Sequence, residues 1–112
     1  MKIIENSTRR LELRLEGNGI AATAGHCIFD RDQGYARITR VAFGIIPYLK
    51  RTLPLNQVAS VTVKRTSNSK TYHPTLQLSG GDNFRIVAMA KDDALAAAKT
   101  IRDFLRGRAY AD

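Results

Sequence analysis

Residues 80–106 read GGDNFRIVAMAKDDALAAAKTIRDFLR, and the fold turns on where the period of this stretch changes. Gly80-Gly81-Asp82 is a strong hairpin signal, because glycine takes the backbone angles that tight turns demand. Asn83 to Ala90 then carries Phe84, Ile86 and Ala88 on one face, the two-residue period of a strand. From Asp92 the spacing is helical, with Leu95, Ala98, Ile101 and Leu105 on one stripe. Asp92 or Asp93 can cap the start of that helix and suits its dipole. Arg102 and Arg106 suit the other end, and Gly107 is a natural stop. The run of alanines adds helix propensity.

Upstream of this switch the pattern is strand-like. Arg10 to Glu16 alternates Leu11, Leu13 and Leu15 with Glu12, Arg14 and Glu16, a half-buried strand. His26 to Asp30 follows, with Cys27 and Phe29 on one face. Arg31-Asp32-Gln33-Gly34 reads as a turn. Tyr35 to Val41 and Ile45 to Leu53 are the third and fourth strands, and Pro47 marks an edge or a bulge. Pro54 to Gln57 is a connector. Val58 to Arg65 points Val61 and Val63 inward, and Thr71 to Ser79 alternates Leu76 and Leu78 with polar residues. With Asn83 to Ala90 this makes seven strands and one helix. The expected fold class is mainly β, a seven-stranded antiparallel sandwich or barrel capped by a C-terminal α-helix. Residues 1–9 are expected to be a flexible segment, residues 10–107 the domain, and residues 108–112 a tail.

The chain has 112 residues, 18 Lys and Arg, 10 Asp and Glu, and a net charge of +8. That length holds one domain with one core. The charge favours anionic partners such as phosphate groups or acidic lipid, and equally serves solubility. Cys27 is the only cysteine, so a disulfide within the chain is excluded. The N-terminal Met-Lys-Ile-Ile-Glu lacks the apolar core of a signal peptide. The longest uncharged stretch, Gly17 to Phe29, falls short of the ~20 apolar residues that cross a bilayer. The expected location is the cytoplasm, or the cytoplasmic face of a membrane.

The order of elements resembles the bacterial pleckstrin-homology-like (PH-like) domains. Leu53-Pro54-Leu55-Asn56-Gln57-Val58-Ala59-Ser60-Val61 is similar to the apolar-Pro-Leu-x-x-Ile-x-x-Val pattern that leads into their fifth strand. Cys27-Ile28-Phe29-Asp30-Arg31 followed by Gly34 resembles their second hairpin, and Ile101 to Leu105 their helix ending. The resemblance covers Arg10 to Arg106. It implies a non-catalytic module that binds proteins, itself or lipid. The paired basic residues with which eukaryotic relatives hold phosphoinositides in the first hairpin loop have no counterpart in Gly17 to Gly25. Bacterial chains of this kind often carry membrane-spanning helices at that place, and here the segment reads as an ordinary loop.

Six basic residues on the middle strands are the candidate binding residues: Arg37, Arg40, Lys50, Arg51, Lys64 and Arg65. If they converge, they form a patch for an anionic lipid surface, where each Lys or Arg contributes ~1 kcal/mol. If they scatter, they are the solvated face of a sheet. Phe104 and Tyr110 lie off or beyond the helical stripe and are candidates for a homo-oligomer or protein-partner surface. Nucleic acid is disfavoured, since no recognition signature accompanies the charges. No small-molecule substrate, cofactor or metal is expected. His26 and Cys27 are adjacent on a strand and point to opposite faces, and His73 completes no ligand set. Asp92-Asp93 read as helix-start residues rather than paired catalytic carboxylates. The leading expectation is a protein-interaction or self-assembly module, with electrostatic membrane binding as the alternative.

Overall fold

The computed structural model describes residues 1–17, 23–43, 46–67 and 70–107. Among the described residues eight strands and one helix follow in order: β1 (Lys2–Asn6), β2 (Arg10–Glu16), β3 (Ala24–Asp30), β4 (Tyr35–Ala42), β5 (Ile46–Pro54), a single 3-10 turn (Leu55–Gln57), β6 (Val58–Arg65), β7 (Tyr72–Leu78), β8 (Asn83–Arg85) and α1 (Lys91–Leu105). They make a mainly β protein with two antiparallel sheets, one ordered β1-β2-β3-β4-β5 and one ordered β6-β7-β8. All seven strands expected from the sequence are present.

Directly opposed residues of an antiparallel ladder share a face, so the register writes out the core of the first sheet row by row. One row runs Leu11, Phe29, Ala36, Leu53. The next runs Leu13, Cys27, Ile38, Arg51, and the third Leu15, Gly25, Arg40, Leu49. The leucines of β2, with Cys27, Phe29, Ala36 and Ile38, are fully buried. At about 25 cal/mol per Å² of apolar surface, this alternation is what holds the sheet against its partner layer. Pro47 sits beside a register shift after Arg40, on the outermost strand. That is where a residue lacking an N–H costs least.

The second sheet puts Val61, Leu76 and Phe84 in one core row. Its other face carries Lys64 opposite His73, and Thr62, Thr75 and Arg85 in line. The β8 ladder is shorter than the Asn83–Ala90 strand expected from alternation. The ladder stops at Arg85; Ile86 still donates to the Pro74 carbonyl at 3.0 Å, and a bridge between Met89 and Tyr72 follows. Between ladder and bridge, Ile86 and Val87 pack on Gly25, where a Cβ would lie 3.0 Å from Ile86 Cγ2. A glycine in β3 thus lets this segment approach the first sheet.

Helix α1 buries Ala94, Ala97, Ala98, Ile101 and Phe104, against β6, β7 and β2. This corrects the expected stripe. Leu95 is 47% exposed, Leu105 is half-buried, and Phe104 sits in the core with its ring 6.3 Å from that of Phe29. Small alanines bring the helix axis close to the sheet, and the phase that does so turns Leu95 outward. The N-cap is Ala90, which makes no side-chain cap; Asp92 and Asp93 lie in the first turn, where they suit the dipole only.

A second correction concerns residues 1–9. Lys2–Asn6 is not a flexible segment but strand β1, paired with β2 through a register irregularity between Ile3 and Glu5. The adjacent Ile3 and Ile4 break the alternation that marks a strand in sequence. Tyr110 and most of the loop within Gly17–Gly25 lie outside the described residues.

Candidate anion-binding site

The six basic residues do not form one patch. Arg37 and Lys50 lie opposite Thr52 and Thr39, on the face of the first sheet away from the core. Arg37 donates to Thr52 Oγ1 at 3.2 Å and covers the Tyr35 ring. Arg40 and Arg51 have the other parity and stand in the core rows given above. They occupy the corner of the sheet that faces the short strand β8, and their guanidinium groups lie 5.0 and 5.3 Å from the centre of the Phe84 ring. A cation over an aromatic face gains ~0.5–1 kcal/mol or more, which helps to explain charge at these positions.

Arg40 is held further by backbone. Its Nε donates to the Ile86 carbonyl at 2.7 Å and Nη2 to the Arg85 carbonyl. Those carbonyls lie where the β8 ladder ends, so the arginine satisfies acceptors that strand pairing has left behind.

Around this corner opens a concavity of about 470 Å³, lined among others by Arg40, Lys64, Arg65, His73, Thr75 and Arg85. A smaller hollow of about 220 Å³ shares Arg40, His73 and Arg85 with it. None of the described residues lining either hollow is acidic. Three of the six candidates, Arg40, Lys64 and Arg65, therefore meet. Lys64, Arg65 and Arg85 are exposed, while His73 and Thr75 are buried at the wall. His73 pairs through Nδ1 with Thr66 Oγ1 at 3.1 Å. Burial pushes its imidazole below the ordinary range, and the positive charges of Arg85, Lys64 and Arg40 push it further. The imidazole thus registers a positive potential from three of the arginines and lysines of the hollow.

Arg85 is a member that reading single strands misses. A count from the Gly80-Gly81 hairpin could have found it. Pairing Gln77 with Asn83 sets Thr75 beside Arg85, two residues along from His73.

A larger groove of about 640 Å³ is lined by Arg31, Leu55, Val58, Arg102, Leu105 and Arg106 among others. Here two of the three arginines serve the fold. Arg31 donates to the carbonyls of Thr8, at 2.7 Å, and Phe104, and stacks on the Phe104 ring at 4.3 Å. Arg102 reaches the Val61 carbonyl at 3.3 Å. These contacts anchor the end of α1 across both sheets.

The remaining candidates divide cleanly. Cys27 is buried, and burial alone pushes its thiol up to about 12, so it has the character of a core residue. His26 points the other way and lies 2.7 Å from Glu12. Asp30 accepts from the Gln33 amide at 2.8 Å as a turn residue. Among the described residues no three His, Cys, Asp or Glu side chains come together as a metal site would need. Phe104, being buried, presents no partner surface. Among the described residues no helix is long and apolar enough to cross a membrane. No protein-family model matches the chain, and no curated protein matches it.

Proposed function

We propose that this chain is a non-catalytic, PH-like binding module that engages anionic membrane surfaces through the concavity of Lys64, Arg65 and Arg85, with Arg40 at its wall. The observation that carries this reading is the meeting of these cations, from two sheets, in a hollow whose described lining has no acid. Four strands continuing into three more and then a helix, once β1 is set aside, is the element order of the resemblance and supports it. A lipid phosphate or carboxylate beside these groups gains Coulomb attraction in proportion to their number, at about 1 kcal/mol each near an anionic surface. Self-assembly is a second reading. It is favoured by Ile3 and Ile4, half-exposed on the outermost strand β1, since an edge strand can pair with another chain.

The test is co-sedimentation with neutral and phosphatidylserine-containing vesicles at low and physiological salt. Binding to the acidic vesicles alone, weakening with salt, is the expected result. Charge reversal of Lys64, Arg65 and Arg85 together should abolish it. Reversal of Arg37 and Lys50, on the opposite face, should leave most of it. Equal loss from both sets would mean that net charge, not the hollow, is read.

A further inference from the structure

Two large apolar side chains stand exposed where β4 passes into β5. Phe43 is 66% exposed and Ile46 is 52% exposed. Phe43 is also the only described non-glycine residue with positive φ, at +55°. An aromatic residue in that region is a conformational outlier, and such strain gathers where function rather than folding selects the residue. A glycine would meet the turn's requirement without strain, and a polar residue would meet solvent better.

The position relative to the hollow gives this its meaning. Phe43 follows Arg40 by three residues, about 10 Å of strand. Ile46 opposes Ala42, and Leu49 opposes Arg40. The exposed apolar pair therefore lies at the same end of the sheet as the cations of the hollow. An apolar tip beside a cluster of cations matches the layering of an acidic bilayer, with charge at the headgroups and hydrocarbon a few ångströms below.

We infer that Phe43 and Ile46 are a membrane-inserting tip, entering the acyl boundary of an anionic bilayer while the neighbouring hollow holds headgroups. This rests on the membrane reading above and adds which residues penetrate.

The chain contains no tryptophan, so Phe43→Trp is a single reporter at the tip. Its emission should shift to the blue on phosphatidylserine-containing vesicles, be quenched by brominated acyl chains, and stay unchanged with neutral vesicles. Phe43→Gly should keep or raise the thermal midpoint, because it relieves the positive φ, yet bind acidic vesicles about tenfold more weakly for the apolar surface lost. Leu95→Ala, at another exposed apolar residue, on α1, should leave binding unchanged. A Phe43→Trp protein that sediments with vesicles while its emission stays fixed would overturn the insertion and leave surface binding standing. A Phe43→Gly protein of lowered midpoint would show a folding role for Phe43 and overturn it as well. No vesicle binding at either salt would overturn both readings.

Discussion

Replacing Arg40 by methionine should destabilise the protein by about 2–3 kcal/mol, although the residue is charged and only half-buried. Methionine keeps a flexible apolar stem over Phe84 and removes the guanidinium. Three contacts are then lost. The bond to the Ile86 carbonyl, 2.7 Å long and partly buried, is charge-assisted and carries ~1.5–3 kcal/mol. The bond to the Arg85 carbonyl is exposed, so water replaces it at little cost. The stack on Phe84 adds ~0.5–1 kcal/mol. For a domain of this size the sum lowers the thermal midpoint by about 10 °C. Urea unfolding at constant slope reads it directly. Arg40→Lys keeps the charge but loses the planar fork, so it should recover no more than about half. An Arg40→Met protein within 0.5 kcal/mol of the parent would refute the reasoning, as would full recovery by lysine. Arg40 would then be a mobile surface cation rather than the clasp at the end of β8.

Two other perturbations test the packing and the potential of the site. Phe104→Ala should cost about 3–5 kcal/mol, as for a fully buried aromatic, whereas Leu95→Ala should cost under ~0.5 kcal/mol; equal costs in urea unfolding would contradict the helix phase. His73 has a folded pKa below the unfolded value near 6.5, so the unfolded chain binds its proton more readily. Stability from this group is whole above pH ~6.5 and falls as pH drops through that value toward the folded pKa. Urea midpoints at pH 7.5 and 5.5 should therefore converge in His73→Gln relative to the parent, and an unchanged gap would count against the buried neutral imidazole.

The strands were legible wherever one face is leucine-rich and the other charged. β2 shows this best, its bounds being the same in sequence and structure. β1 was not legible, because Ile3 and Ile4 adjoin and the ladder shifts register there. The length of β8 escaped for a different reason. Alternation continues through Phe84, Ile86 and Ala88, but the regular ladder with β7 ends at Arg85: Ile86 still donates to the Pro74 carbonyl at 3.0 Å, Pro74 has no N–H to return the bond, and the segment turns to pack on Gly25. In α1 the large side chains suggested the stripe while the alanines determined it, since the closest approach of a helix to a sheet belongs to its smallest residues. The candidate site was half legible. Parity along β4 separates Arg37 from Arg40, but the meeting of Arg40 with Lys64, Arg65 and Arg85 depends on how the two sheets are stacked, which no single-strand pattern encodes.

Each strand pairs with the strand next to it in sequence, so every ladder of this protein can form as a local hairpin soon after its residues leave the ribosome. The core cannot close in that way. Phe29 meets Phe104, and Arg31 binds the Phe104 carbonyl across 73 residues. Until Lys91–Leu105 has been synthesised, both sheets present bare leucine and phenylalanine faces to the cell. The growing chain therefore carries aggregation-prone apolar surface for most of its synthesis, and docking of α1 is the event that ends that exposure.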